Sequence, residues 1–206
     1  RVRKVMEPRN SDGTRGYVMD MTAQNAFALD TQNDALLAKI AVGIIAQPIM
    51  TPSVAVAPDG RRVYLAYATS QDDHLLIVDT ATNQIVKDQF LPIHPAGVAV
   101  SPDGSKVYVA GCKLVCVNGT LLTLDATTAS VLPSRDLSAA PSGLVLAPDG
   151  RRAYVANGRD ASVAIVDLGS TGVTKVSVSP QPLGIALHPN GRLLYVASFG
   201  TGRVDV

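Results

Sequence analysis

The stretch Pro95-Ala96-Gly97-Val98-Ala99-Val100-Ser101-Pro102-Asp103-Gly104, followed at once by Ser105-Lys106-Val107-Tyr108-Val109-Ala110, recurs in near copies along most of the chain. Pro52-Ser53-Val54-Ala55-Val56-Ala57-Pro58-Asp59-Gly60 leads into Val63-Tyr64-Leu65-Ala66, and Pro141-Ser142-Gly143-Leu144-Val145-Leu146-Ala147-Pro148-Asp149-Gly150 into Ala153-Tyr154-Val155-Ala156. Pro182-Leu183-Gly184-Ile185-Ala186-Leu187-His188-Pro189-Asn190-Gly191 leads to Leu194-Tyr195-Val196-Ala197, and a degenerate copy, Ser11-Asp12-Gly13 then Gly16-Tyr17-Val18, stands near the start. Tyr17, Tyr64, Tyr108, Tyr154 and Tyr195 share one register, at separations of 47, 44, 46 and 41 residues. Self-similarity at such a period marks a repeat architecture and falls in the range of one four-stranded unit per repeat.

Each copy reads as an antiparallel hairpin. A short apolar run meets a Pro-Asp-Gly turn, in which Pro sets φ, Asp bonds back to its own backbone and Gly supplies φ > 0; a second run rich in Val and Tyr follows. A third run ends in Asp: Leu75-Leu76-Ile77-Val78-Asp79, Leu121-Leu122-Thr123-Leu124-Asp125, Val163-Ala164-Ile165-Val166-Asp167 and, more weakly, Ala26-Phe27-Ala28-Leu29-Asp30. A fourth run comes after a polar turn such as Thr80-Ala81-Thr82-Asn83. The stretch from Ala23 to Ala41 could pass for a helix, but the repeat context assigns it to strands.

With its Ser-Pro-Asp-Gly turn, its Tyr154-Val155-Ala156-Asn157 strand and its Val78-Asp79-Thr80 turn, the sequence resembles the YVTN-type β-propeller repeat. The resemblance covers nearly the whole chain and departs most in the first copy, where Pro8-Arg9-Asn10 replaces the usual approach to the turn. It implies an all-β fold, a β-propeller of four-stranded antiparallel blades with about five blades present, in a ring expected to hold seven. The chain is then one domain, 1–206, with repeats over 1–52, 53–95, 96–141, 142–182 and 183–206. A five-bladed ring with one incomplete blade is the other arrangement. Arg1 to Glu7 fits either an inner strand of the first repeat or an outer strand of the last.

Composition narrows the function. A net charge of +1 without a basic stripe gives no reason to expect nucleic acid. No apolar run reaches the length of a membrane span. Cys112 and Cys116 share one loop, Gly111 to Gly119. A loop disulfide, which suits a periplasmic or extracellular setting, is the favoured reading; two free thiols are the alternative, and a zinc site lacks a second ligand pair.

In the propeller that the resemblance implies, the innermost strand of each blade lines a channel. Loops joining fourth to first strands and second to third strands share one face. On this sequence the first set places Thr51, His94, Ala140 and Gln181 just before each repeat's Pro. The second set holds Gln71-Asp72-Asp73, the cysteine loop, Asn157-Gly158-Arg159-Asp160 and Ser198-Phe199-Gly200-Thr201-Gly202. Variable loops on a rigid scaffold are where recognition is built, so Thr51, His94, Gln181, Asp72, Arg159 and Phe199 are the candidate ligand-binding residues.

His94 could act as a general base or ligand at the channel mouth, or simply as a solvated loop histidine. Asp72-Asp73-His74 alternates in direction along a strand and does not converge on a cation. His188, and the aspartates that recur in every repeat, read as turn residues: a catalytic pair is needed once, a turn carboxylate in every blade. No catalytic residue, metal site or cofactor is assigned.

The function expected is a recognition scaffold for a protein, glycan or small ligand, or a subunit of a larger assembly. A propeller enzyme or enzyme subunit (lactonase, lyase or dehydrogenase subunit) is the alternative. The four register tyrosines from Tyr64 onward are expected to pack between blades, with Tyr67, outside the register, contributing less.

Overall fold

The computed structural model describes residues 13–20, 25–42, 53–69, 71–113, 116–137 and 140–206. Thr51 and the segment Arg1 to Glu7 lie outside the described residues. The described chain is all β, with eighteen strands in five antiparallel sheets and no helix.

The first sheet holds β1 (Arg15–Asp20), β2 (Asn25–Asp30) and β3 (Leu36–Ala41). The second holds β4 (Ser53–Val56), β5 (Arg62–Ala68), β6 (Asp73–Asp79) and β7 (Gln84–Phe90), and the third β8 (His94–Val100), β9 (Lys106–Cys112), β10 (Gly119–Asp125) and β11 (Val131–Leu137). The fourth comprises β12 (Pro141–Leu146), β13 (Arg152–Asn157), β14 (Ser162–Asp167) and β15 (Val173–Ser177), and the fifth β16 (Pro182–Leu187), β17 (Leu194–Ser198) and β18 (Arg203–Asp205). Within every sheet strands follow in chain order, so each is a meander. Between sheets, β4, β8, β12 and β16 lie side by side.

Turn chemistry sets this meander. In the repeat quoted first, Ser101 N–H donates to Lys106 O at 2.9 Å and Gly104 N–H to Ser101 O at 2.8 Å, while Gly104 sits at φ 72°. The turn carboxyl accepts the amide two residues on in each copy: Arg61 to Asp59 at 3.0 Å, Ser105 to Asp103 at 3.0 Å, Arg151 to Asp149 at 2.9 Å, and Arg192 to the Asn190 amide oxygen at 3.0 Å. The aspartate closing each third strand caps the next turn likewise; Thr127 and Thr128 N–H reach Asp125 at 2.9 and 2.7 Å. His188 Nδ1 accepts the Asn190 amide at 3.2 Å, a turn role. These aspartates are therefore structural, and Asn190 takes the same part in the fifth sheet.

Packing between sheets builds the core. Tyr64 and Tyr67 lie three residues apart on β5 and so point to opposite faces of the second sheet. Tyr64 is 1% exposed in a cluster shared with the third sheet, where its hydroxyl donates to Ala126 O at 3.1 Å. Tyr67 is 4% exposed in the cluster shared with the first sheet, donating to Val42 O at 2.6 Å. The expectation that Tyr67 matters less is thus corrected: a sheet stacked on both sides buries an off-register tyrosine as fully as a register one. Tyr17 packs against the second sheet and Tyr108 against the fourth. Tyr195, by contrast, is 37% exposed. Polar ties join the same neighbours. Arg62 donates to Ala126 O at 2.7 Å, Val98 N–H to the Ser53 hydroxyl at 3.0 Å, and Arg135 to Ser170 O at 2.6 Å.

Truncating Tyr67 or Tyr108 to Ala is expected to cost about 3–5 kcal/mol each in denaturant unfolding, the range for deleting a core aromatic, and Tyr195→Ala clearly less. At low pH the turns weaken. The Ser101 hydroxyl, with the Ser105 amide and hydroxyl, holds the Asp103 carboxyl at about 2, against a usual 3.8. A depressed folded-state pKa contributes stability above the unfolded value that is lost as pH falls through the folded one. Stability should therefore decline from about pH 4 towards pH 2, and Asp103→Asn should flatten that decline in acid titrations followed by circular dichroism.

Candidate functional site

First strands begin, and second strands end, at the same end of each sheet, because the two are antiparallel. At that end backbone bonds fasten the two kinds of loop together. Gly158 N–H donates to Ala140 O at 3.0 Å, and Phe199 N–H to Gln181 O at 2.9 Å. Gln181, at φ 56°, and Phe199, 77% exposed, are thus brought side by side on the fifth sheet. Arg159 is exposed in the turn after β13 on the fourth sheet. Asp72 is exposed in the turn just before β6, its carbonyl accepting the Thr69 amide and hydroxyl at 2.7 Å each. The candidates therefore fall into separate groups along one loop end.

The most developed group surrounds His94. Its Nδ1 lies 2.7 Å from Asp73 Oδ1, and the two side chains are only 15% and 12% exposed. His94 opens β8 and Asp73 opens β6, so the pair bridges the second and third sheets. A carboxylate accepts, which puts the proton on Nδ1 and leaves Nε2 for another partner. His94 is thus held by a carboxylate and mostly buried, not the freely solvated loop residue of the bland alternative.

Asp73 does not stand out in the sequence as a site residue, because it lies within a polar triplet. Alternation does separate that triplet, and it sends Asp73 to the neighbouring sheet and His74 elsewhere. His74 Nδ1 is 2.9 Å from Asp88 Oδ1, and its ring lies between Tyr67, stacked at 5.1 Å, and Phe90, tilted at 5.0 Å. The signal available in the sequence was that Asp73 and His94 open strands at the same end. A second polar knot, with no signal in the repeat pattern, ties the segment after β15 to β18, where Ser179 donates its amide and hydroxyl to Asp205 at 2.8 and 2.9 Å. These bonds hold the Asp205 carboxyl below the usual carboxylate range.

The cysteine loop adjoins His94. Cys112 pairs in register with His94 on one side and Gly119 on the other. Cys112 is bonded to Cys116, with Cα atoms 4.9 Å apart. The bond closes the loop at the end of β9, the strand against which His94 is laid. Gly111 is required beside it, since a Cβ there would meet His94 O at 2.2 Å. Outward of the loop runs a groove of about 670 Å³ between the third and fourth sheets, lined by Lys113, Val117, Asp136, Val173 and Lys175 among others. Lys175 is paired with Asp160 at 3.0 Å. Among the described residues no three His, Cys, Asp or Glu side chains gather in a way that could hold a metal ion, and no helix is long and apolar enough to cross a membrane.

Solved structures that share the fold include the following three. The Swd1 β-propeller domain of Myceliophteria thermophila superposes with a TM-score of 0.74 at 13% identity, over 95% of this chain and 62% of that one. The chain is a β-propeller. A functionally unknown protein from Desulfotomaculum acetoxidans gives 0.76 at 16% identity, over 98% of this chain and 68% of that one. Hydrazine synthase of Kuenenia stuttgartiensis gives 0.63 at 16% identity, over 96% and 74%. No protein-family model and no curated protein matches the sequence. At these identities the likeness concerns the propeller fold alone, and the five sheets are its blades, a number consistent with a partial propeller.

With Cys112 and Cys116 bonded, the protein denatured without reductant should titrate no thiol in a dithionitrobenzoate assay, and two thiols would contradict the pairing. Reduction should raise hydrogen exchange at the Cys112 end of β9 and at His94 before it affects β13.

Proposed function

We propose that this propeller is an extracytoplasmic recognition scaffold of the YVTN type, binding a protein, glycan or small ligand on the loop end that carries His94, Asp72, Arg159, Gln181 and Phe199. Thr51 belongs to the same proposed surface by its place in the repeat. The observation that carries this reading is the His94–Asp73 pair: a polar side chain fixed by a carboxylate from the neighbouring blade, beside a disulfide-closed loop. Binding surfaces gain affinity when their groups are held in place before the ligand arrives. A loop disulfide fits the oxidising periplasm or cell exterior.

The same pair favours a second reading, a propeller enzyme or enzyme subunit, because an imidazole held at Nδ1 by a carboxylate can move a proton at Nε2. The propeller neighbours include a chain of hydrazine synthase. The binding reading is preferred because the other candidate residues are spread over separate blades and do not converge on His94.

A screen of immobilised glycans and displayed peptides should yield a ligand whose affinity falls at least about tenfold, roughly 1.4 kcal/mol, in His94→Ala and Arg159→Ala. It should be unchanged in Asp59→Ala and Asp149→Ala at the Pro-Asp-Gly end. Loss of binding only in the latter pair would place recognition at the wrong end. Turnover of a screened substrate abolished by His94→Ala would favour the enzyme.

A further inference from the structure

The dipeptide Asn-Gly occurs three times, as Asn118-Gly119, Asn157-Gly158 and Asn190-Gly191, and the fold treats the three differently. Asn157 is 0% exposed at the end of β13; its Nδ2 donates to the Ser162 hydroxyl at 3.3 Å, and the Gly158 N–H donates to Ala140 O at 3.0 Å. Asn190 lies in the turn before β17, where its Oδ1 accepts the Arg192 amide at 3.0 Å and the Gly191 N–H donates to His188 O at 2.8 Å. Asn118 is exposed at the bend that follows the disulfide, next to Val117 at 57% exposure, and among the described residues no hydrogen bond holds its side chain. Gly119 opens β10 opposite Cys112 and Leu137, so only the end of a strand must loosen to free its nitrogen.

We propose that Asn118 is a site of spontaneous modification, which turns it into aspartate and isoaspartate on the loop that flanks His94. The Gly119 backbone nitrogen, having given its proton to solvent, attacks Asn118 Cγ. The new C–N bond closes a succinimide ring, the Cγ–Nδ2 bond breaks, and ammonia leaves with a proton from water. Glycine places no Cβ in the way of this approach. Water then opens the ring at one of its two carbonyls. Opening at Cγ gives aspartate, and opening at the main-chain carbonyl gives isoaspartate; in both the water supplies an oxygen of the new carboxylate. At Asn157 and Asn190 the same attack must first break the hydrogen bonds that hold the side chain and the glycine N–H, so it waits on local opening of the fold. Either product at Asn118 puts a carboxylate in the groove lined by Lys113 and Lys175, and isoaspartate also adds a carbon to the backbone just ahead of β10.

The test incubates the folded protein at mildly alkaline pH in water enriched in oxygen-18, which labels only carboxylates formed during the incubation. Trypsin then places the three asparagines on separate peptides for mass spectrometry. Label should enter at Asn118 at least about tenfold faster than at Asn157 or Asn190, since those two convert only through local opening. The denatured chain should label all three at comparable rates. Asn118→Gln should remove label from that peptide and leave the other two unchanged, because the ring that a glutamine would need forms far more slowly. Folded protein in which Asn157 or Asn190 labels as fast as Asn118 would overturn the proposal. So would an Asn118 that stays unlabelled when folded and labels readily once denatured.

Discussion

A sheet whose two faces are both covered must satisfy two neighbours at once, and every other feature of this propeller follows from that demand. β5 shows it within one strand: Tyr64 serves the third blade and Tyr67 the first, each with its hydroxyl on a carbonyl of the blade it touches. Burying a phenol without a hydroxyl partner would forfeit much of what its ring contributes. Burial also pushes the Tyr67 hydroxyl up to about 12 and raises those of Tyr17, Tyr64 and Tyr108. Small residues on second strands, such as Ala66, Ala110 and Ala156, let the sheets approach, and larger ones on third strands fill the remaining space.

Stacking leaves little for the turns to do except hold register, and so they are free to be alike. The Pro-Asp-Gly end is uniform because each copy solves the same backbone problem with the same carboxyl. The opposite end faces no such demand, and there the loops diverge in length and composition. His94 and Asp73 stand where that divergence meets the rigid part of the fold: each opens a strand, and each is fixed by the sheet beneath it while its partner comes from the adjacent blade. The disulfide closes a loop that flanks them.

Strand order, the turn chemistry and the buried register at Tyr64 and Tyr108 were legible in the sequence, because they depend on local patterns repeated at a fixed spacing. Pairings across blades were not. Nothing in Asp72-Asp73-His74 says which carboxylate reaches the next blade, since that depends on how far neighbouring sheets are rotated about each other. Tyr67 illustrates the same limit. Periodicity marked it as off register, yet burial on both faces makes register a guide to which neighbour a residue meets, not to whether it is buried. Exposure of Tyr195 was likewise hidden, because the sequence repeats the residue without stating what covers it.

The claim that each sheet is covered from both sides is tested most directly by nuclear Overhauser contacts from the two tyrosine rings of β5. Stacking predicts that the Tyr64 ring contacts Ala126 of the third blade, 62 residues away, while the Tyr67 ring contacts Val42 of the first, 25 residues away, with no methyl group shared between them. If both rings reported the same neighbours, or only residues of their own sheet, the blades would not be stacked as described.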